Sequence, residues 1–123
     1  MKSREFVTSK GTKVVVGKSA SNNDEIMEKF QGKNKIVMHT AAPGSPFAVI
    51  DVAPSKVLTK EKKEVAIFVA MKSQDWRDNK KNVRVDVFNA KDIYKDKKMK
   101  SGTWGVRKKG KPIVVKKLDI EKW

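Results

Sequence analysis

An α+β fold with a mostly antiparallel sheet and two helices is predicted for this chain, as a single compact domain over residues 1–123. Two observations predict it. Short runs rich in Val, such as residues 14–16 and 83–87, recur between turn-forming residues, and two other segments place apolar residues at helical spacing. A length of 123 residues suits one hydrophobic core and is short for two independent ones.

The first third of the chain is predicted to form a β-hairpin followed by a short helix. β-prone residues at 6–8 and 14–16 flank a turn-forming segment at 9–13. After Gly17, the helix is expected to be capped within residues 21–23 and to carry Asp24 and Glu25 in its first turn, where the helix dipole favours acidic groups. Its apolar face comprises Ile26, Met27 and Phe30.

The middle of the chain is predicted to contain two strands and the longest helix. The strands cover residues 35–39 and 47–52, and a tight turn at 42–46, which contains two prolines, joins them. The helix is expected to begin at Thr59 and to end near Trp76. Its apolar residues fall near one face at spacings of three, four and seven.

The last third is predicted to be mainly β-structure. Val83, Val85 and Val87 alternate with Arg84 and Asp86, which is the period of a half-buried strand whose other face meets water or a ligand. Residues 102–106 and 112–115 are then expected to pair as a β-hairpin around a basic turn at 107–111.

The charge of the chain points to a polyanionic partner. Lys and Arg number 29 against 14 acidic residues, which gives a net charge of +15, while 38% of the residues are apolar. The chain is therefore too apolar for a disordered basic tail, and self-repulsion at this charge favours a partner that releases counterions on binding. Residues 91–123 hold 12 basic and 4 acidic residues, so the charge is asymmetric. A general enrichment in Lys is the competing explanation.

The chain offers little for catalysis. It has no cysteine and a single histidine, His39, which excludes disulfides, Cys- or His-rich metal sites and any nucleophilic chemistry that needs a second histidine. A lone histidine at a strand end is more often structural than catalytic, and neighbouring carboxylates such as Asp75 and Asp78 are better explained by surface ion pairs. We therefore expect a protein that is not an enzyme and that takes no cofactor or metal.

No segment predicts a membrane span. No apolar run approaches the roughly 18 residues that a spanning helix requires, and the N-terminal residues lack the apolar segment of a secretion signal. A cytoplasmic location without integral membrane association is the expectation.

Basic and aromatic residues are the candidates for contact with RNA. The cluster at the predicted C-terminal turn suits phosphate contact more than base reading. Lys18 follows a strand and precedes a helix N-terminus, which is a suitable place for a phosphate. Trp104 and Tyr94 are candidates for stacking on unpaired bases, although a single aromatic residue is more often part of the core. The basic candidates are Lys18, Arg77, Lys100, Arg107, Lys108, Lys109 and Lys111.

The order of four sequence stretches resembles one family, the NFACT-R domain of ribosome-quality-control NFACT proteins, in its stand-alone form. The resemblance covers nearly the whole chain. The stretches are Val16-Gly17-Lys18 with Asn23-Asp24-Glu25-Ile26; Ile36-Val37-Met38-His39 with Pro43-Gly44-Ser45; Met71-Lys72-Ser73 with Trp76; and Asn82-Val83-Arg84-Val85 with Ser101-Gly102-Thr103-Trp104-Gly105-Val106.

The resemblance implies an RNA-binding module in a family whose multidomain members engage stalled large ribosomal subunits and tRNA. The family's other domains are not found in these residues, so tail addition to a nascent chain is not inferred. Where many full-length members have a histidine after the Gly-Ser pair, this chain has Pro46, which weakens any proposal of acid-base chemistry in that loop. The positions that match the family pattern are Gly17, Lys18, Asn23, His39, Gly44, Ser45 and Gly105.

The leading hypothesis is a non-enzymatic RNA-binding protein that recognises tRNA or structured ribosomal RNA by shape and phosphate, with ribosome-associated proteins as further partners. An RNA-processing or tRNA-modification component is the first alternative, in which His39 and Ser45 would act beside a bound RNA. A basic adaptor that docks on an acidic protein or membrane surface is the second. DNA also remains open as a ligand, since no groove-reading motif is present to decide the matter.

Overall fold

The computed structural model describes residues 4–42, 44–108 and 110–123. These residues form a six-stranded sheet, a separate two-stranded sheet, four α-helices and two short 3-10 turns. In chain order, the elements are β1 (Arg4–Val7), β2 (Lys13–Val16), α1 (Ala20–Phe30), β3 (Ile36–Thr40), β4 (Ala48–Ile50), α2 (Thr59–Met71), α3 (Gln74–Asn79), β5 (Val83–Asn89), β6 (Ile93–Tyr94), β7 (Gly105–Val106), β8 (Lys111–Val115) and α4 (Lys117–Glu121).

The large sheet is antiparallel throughout, with the strand order β1-β2-β4-β3-β5-β8. The predicted α+β class, the mostly antiparallel sheet and the opening β-hairpin are therefore confirmed. Successive side chains of a strand point to opposite faces, and here both faces are covered. The central strands consequently read as continuous apolar runs: Val14, Val15 and Val16 are all buried.

Each face of the large sheet has its own core. On one face, Val14, Met38 and Val85 pack with residues of α2 and α4, including Val65 and Ile120. On the other face, the core side chains come from β2, β3, β4, α1 and the segment around β6: Val15, Ile26, Met27, Phe30, Val37, Phe47, Val49, Ala90 and Ile93. The sheet is thus the middle layer of three, and α1 covers only part of its face.

Helix α1 begins earlier than the sequence predicts. Its N-cap is Ser19, whose hydroxyl accepts the backbone N–H of Asn22 at 3.1 Å, so residues 21–23 lie inside the helix. Asp24 is therefore outside the first turn, and the predicted dipole role of its carboxylate is wrong. The side chains of Asn22 and Asn23 are instead buried against neighbouring loops.

The long helix predicted from Thr59 to Trp76 is two helices, because Ser73 interrupts it. The Ser73 hydroxyl donates to the carbonyl of Ala70 at 2.6 Å and accepts the backbone N–H of Trp76 at 3.1 Å. The same side chain thus ends α2 and caps α3, as a serine can when it competes with the backbone for hydrogen bonds. With α4 added, the described residues form four α-helices where the sequence predicts two.

The predicted C-terminal β-hairpin is wrong. β7 pairs with β6 in the small sheet, whereas β8 pairs with β5 at the edge of the large sheet. Burial explains the choice, since Val115 is buried and Ile113 packs on the core shared with α2. Pro112 lacks an N–H donor, and an edge strand is where a proline is tolerated in a sheet.

A buried carboxylate fastens the first hairpin to α2. Glu61 is 2% exposed; its Oε2 accepts the Thr8 hydroxyl at 2.7 Å and its Oε1 accepts the Leu58 N–H at 3.1 Å. Hydrogen bonds from the side chains of Thr12 and Thr8, and from the backbone of Leu58, lower the pKa of Glu61 below its ordinary value against the opposing effect of burial. The ionised side chain therefore holds the edge of the sheet in place.

Among the residues that the structure describes, none of the helices combines the length and the apolar character that crossing a membrane requires.

Candidate nucleic-acid interface

An open cleft of about 800 Å³ lies where the sheet extends beyond α1. Its walls are the β2–α1 junction, the β3–β4 loop, the start of α3 and the loop before β7. Its lining residues are Arg4, Gly17, Lys18, Ser19, Ala20, Asn23, His39, Thr40, Ala41, Gly44, Ser45, Pro46, Phe47, Lys72, Gln74, Arg77, Asp86, Phe88, Ser101, Gly102, Thr103, Trp104, Val106 and Gly110. Segments far apart in the sequence therefore meet at this cleft.

Two hydrogen bonds of adjacent residues hold the β3–β4 loop in place. The Ser45 hydroxyl accepts the backbone N–H of Thr40 at 3.0 Å, and the Gly44 carbonyl accepts the N–H of Gln74 at 2.8 Å. Gly44 has a φ of +91°, and a Cβ there would lie 2.6 Å from the Gln74 side chain. The turn predicted at residues 42–46 is thus part of a loop that contacts the start of α3. Of its residues, Pro43 lies outside the described part of the chain.

The β2–α1 junction depends on close contact between Gly17 and Asn23. The Asn23 Oδ1 accepts the N–H of Phe47 at 3.3 Å, and a Cβ on Gly17 would lie 1.7 Å from that same oxygen. The Gly17 N–H donates to the Phe47 carbonyl at 3.0 Å. Gly17 and Asn23 therefore join the start of α1 to the loop that precedes β4, and this contact shapes the cleft wall.

His39 forms part of the cleft floor in a neutral state. Its ring stacks on Phe47 with centroids 4.4 Å apart. Burial lowers the pKa of His39 below its ordinary value, against the opposing effects of the backbone of Thr40 and Ser45 and of the Asp86 carboxylate. At neutral pH the imidazole therefore brings no positive charge to a ligand. Its contribution to stability is complete above about pH 6.5 and declines as the pH falls below that value.

Four basic side chains in the described part of the chain surround the cleft: Arg4, Lys18, Lys72 and Arg77. All four residues are exposed. Arg77 Nε contacts Asp78 Oδ1 at 3.1 Å, but this pair lies at the surface, where ion pairs are weak and exchange readily. The positive charge at the cleft is therefore available to an anionic ligand.

The floor also carries Asp86 and Phe88 from β5. Asp86 lies opposite His39 in the β3–β5 register, and Phe88 follows two residues later on the same face. Both residues are half-buried. The alternation of residues 83–87 predicts this face as one that meets water or a ligand, which fits the position of Asp86 in the cleft.

The loop before β7 is held against α1 by Asp24. The two carboxylate oxygens accept hydrogen bonds from the Ser101 hydroxyl at 2.8 Å, the Gly102 N–H at 2.9 Å and the Trp104 indole N–H at 2.9 Å. Lys95 Nζ lies 3.5 Å from Asp24 Oδ1. Partial burial acts to raise the pKa of Asp24, but the three hydrogen bonds and the Lys95 ammonium outweigh it and hold that pKa below its ordinary value.

The docking of this loop is expected to depend on pH in a defined direction. A carboxylate with a lowered pKa stabilises the folded arrangement above about pH 4, and this contribution is lost as the pH falls through its folded pKa. In acid titration by NMR, we expect the Trp104 indole N–H resonance to move below pH 4 and to be displaced at all pH values in Asp24→Asn. The Trp76 resonance serves as the control for global unfolding. A Trp104 resonance that shifts only together with that of Trp76 would contradict this role of Asp24.

The structure gathers seven of the twelve candidate residues at the cleft and leaves others outside it. Those that line it are Lys18, Asn23, His39, Gly44, Ser45, Arg77 and Trp104. Lys100, Arg107, Lys108 and Lys111 are exposed but do not contribute to the described lining, and Lys109 lies outside the described residues. Of the seven basic candidates, Lys18 and Arg77 therefore line the cleft, and four of the others do not.

The two aromatic candidates have partners within the protein. Trp104 packs on the core beneath α1 while its indole N–H is bonded to Asp24, so stacking on a base is not needed to explain its burial. The Tyr94 ring lies across Gly105, where a Cβ would be 2.3 Å from the ring, and the Arg107 guanidinium lies 5.2 Å from its centroid. Gly105 is therefore a packing position.

Sequence reasoning missed several residues at the cleft, above all Arg4, Lys72, Asp86 and Phe88. Arg4 lacks a local signal, because an exposed basic residue in a Lys-rich chain stands out only when its neighbours in space are known. Lys72 lies in one of the stretches that resemble the family, but that stretch does not mark it as a ligand contact. Asp86 and Phe88 did carry a signal, since they occupy the face of β5 opposite its valines. Across residues 4–42, 44–108 and 110–123, no group of three or more histidine or acidic side chains is arranged to hold a metal ion.

Comparisons with known proteins identify a family for this chain. The family model described as "NFACT protein RNA binding domain" matches residues 2–108. The archaeal Rqc2 homolog aRqcH of Methanocaldococcus jannaschii is 36% identical over 67 residues, a match that covers 54% of this chain and 10% of that protein. The chain therefore spans about a tenth of the length of that relative.

A solved structure shares the fold. The C-terminal part of the fibronectin/fibrinogen-binding protein from Streptococcus suis superimposes with a TM-score of 0.81 at 26% identity, covering 99% of this chain and 49% of that chain. The family match contains every residue of the cleft lining except Gly110. The chain belongs to the NFACT protein RNA binding domain family.

Proposed function

We propose that this protein binds RNA in the cleft, that it recognises tRNA or structured ribosomal RNA by shape and phosphate, and that it serves ribosome quality control without catalysing a reaction. One observation carries the proposal: the basic side chains of Arg4, Lys18, Lys72 and Arg77 converge on one groove of a protein with a net charge of +15. Phosphate contacts supply most of the affinity in such an interface.

The geometry favours binding over chemistry on the RNA. The Ser45 hydroxyl is already engaged with the Thr40 N–H, and the His39 imidazole is stacked on Phe47. A nucleophile needs a base within hydrogen-bond reach, and no hydrogen bond joins these two side chains in the described part of the chain. Turnover of a bound RNA that is lost in His39→Ala, with affinity intact, would favour the RNA-processing alternative instead.

A ligand panel measured across a salt series tests the proposal. The purified protein is titrated with tRNA, ribosomal RNA fragments, duplex DNA, heparin and anionic vesicles. We expect RNA to be preferred at near-physiological salt, and the logarithm of its affinity to fall with that of salt with a slope of about −3 for four phosphate contacts. Equal binding to every polyanion, lost at moderate salt, would contradict the proposal, and a preference for vesicles would support a membrane adaptor.

A further inference from the structure

Asp86 is a negative charge inside a cleft that is otherwise surrounded by positive charge. Among the described lining residues it is the sole acidic one, and its side chain is 31% exposed. It lies between His39 on β3 and Pro112 on β8 in the strand register. The carboxylate is therefore set in the floor, where a ligand that enters the cleft meets it.

The hydrogen-bonding capacity of Asp86 is only partly used. Arg84 Nε donates to Asp86 Oδ1 at 3.1 Å, and the Arg84 side chain is 50% exposed, so this pair stays open to solvent. In the described residues, no protein group donates a hydrogen bond to Oδ2. An ionised carboxylate can only accept hydrogen bonds, and each oxygen has two lone pairs. The site can therefore accept a donor group from a ligand.

A carboxylate at this position disfavours phosphate. Its repulsion of an anion weakens binding in a site built for phosphate alone, whereas a ligand that presents N–H or O–H groups gains hydrogen bonds there. Nucleotides combine both features, because a phosphate is joined to a ribose hydroxyl and to a base with donor groups. A cleft in which four basic side chains surround the Asp86 carboxylate fits such a ligand.

An aromatic surface lies beside the carboxylate. Phe88 packs on the core beneath α1 while its exposed part lines the cleft, and it is two residues from Asp86 on the same strand face. Unpaired bases in RNA complexes are commonly stacked on aromatic side chains and hydrogen-bonded along their edges. Building on the RNA-binding function proposed above, we infer that Asp86 determines specificity: it accepts a hydrogen bond from the base edge or the ribose 2′-hydroxyl of an unpaired nucleotide and discriminates against phosphate-only polyanions.

The test compares Asp86→Asn with Asp119→Asn, a matched control. Asp119 lies on α4, which packs with α2 on the opposite face of the sheet, so both changes remove one negative charge. Affinities are measured for single-stranded ribo- and deoxyribo-oligonucleotides of each base and for inorganic polyphosphate, which lacks base and sugar donors. We expect Asp86→Asn to bind polyphosphate more tightly and to reduce the preference for RNA over polyphosphate about tenfold. The control is expected to leave that preference unchanged.

The oligonucleotide series shows which group of the nucleotide donates the hydrogen bond to Asp86. Loss of the ribo-over-deoxyribo preference in Asp86→Asn assigns the ribose hydroxyl, and loss of a preference among bases assigns the base edge. Equal changes in RNA and polyphosphate affinity would overturn the inference while leaving RNA binding intact. Failure of the unmodified protein to prefer RNA over polyphosphate would overturn the proposed function itself.

A second variant keeps the test decisive if Asp86→Asn fails to fold. Asp86→Glu retains the charge but moves the carboxylate by one methylene. We expect it to reduce the RNA preference and to leave polyphosphate affinity unchanged, because the hydrogen-bond geometry is altered and the repulsion is kept. An unchanged RNA preference in this variant would count against the inference.

Discussion

Replacing Lys18, Lys72 and Arg77 together by alanine is expected to weaken RNA binding about 100-fold at near-physiological salt, since each charged contact with phosphate contributes on the order of 1 kcal/mol. The three residues come from the β2–α1 junction, the end of α2 and α3, yet all line the same cleft. The slope of affinity against salt is expected to become shallower by two to three units, roughly one per lost contact.

A matched triple variant gives the control. Lys56, Lys60 and Lys63 are exposed and lie at or just before the N-terminal end of α2, while Lys72 is at its C-terminal end. Lys72 follows Lys60 by 12 residues and Lys63 by 9, which places it about 18 and 14 Å from them along the helix axis. Removing these three lysines changes the net charge by the same amount and is expected to weaken RNA binding only a few-fold. Equal losses in both triple variants would mean that total charge, and not the cleft, carries the affinity.

Gly17→Ala is expected to destabilise the protein by about 2–4 kcal/mol. A Cβ at this position would lie 1.7 Å from Asn23 Oδ1. The Asn23 side chain is buried and accepts the N–H of Phe47, so moving it aside leaves a buried donor unpaired. The midpoint of urea unfolding, followed by circular dichroism, measures the loss.

Gly11→Ala is the matched comparison for this change. Gly11 has a φ of +86°, but a Cβ there would meet nothing within 4 Å. Its substitution therefore costs only backbone strain, about 1–2 kcal/mol, without disturbing the cleft. A loss of stability in Gly17→Ala no larger than that in Gly11→Ala would refute the packing explanation.

Much of the fold could be predicted from the sequence because its signals are local. The opening hairpin, β3, β4 and β5 follow from β-branched runs between turn formers, and both cores follow from the burial of those runs. The break at Ser73 could not be predicted in the same way. A helical pattern continues through this residue, and the competing hydrogen bonds of its hydroxyl become visible only in the folded chain.

The partner of β8 was mispredicted for a non-local reason. Two strands joined by a short basic turn resemble a hairpin, but Val115 gains more by packing on the core beside α2 than it would beside β7. The same limit applies to the cleft. Its family-pattern residues could be identified in the sequence, whereas Arg4 and Asp86 join them only because the strand order brings them there.

Amide chemical-shift mapping by NMR during titration with a tRNA or an unpaired oligoribonucleotide tests the central claim most directly. The account predicts that the largest shifts fall on residues 17–23, 39–45, 72–77 and 86–88, around the cleft. It predicts only small shifts for Lys97, Lys98, Lys108 and Lys111, which are exposed and do not line the cleft. The opposite distribution, with the largest shifts at these lysines and none at the cleft, would contradict it.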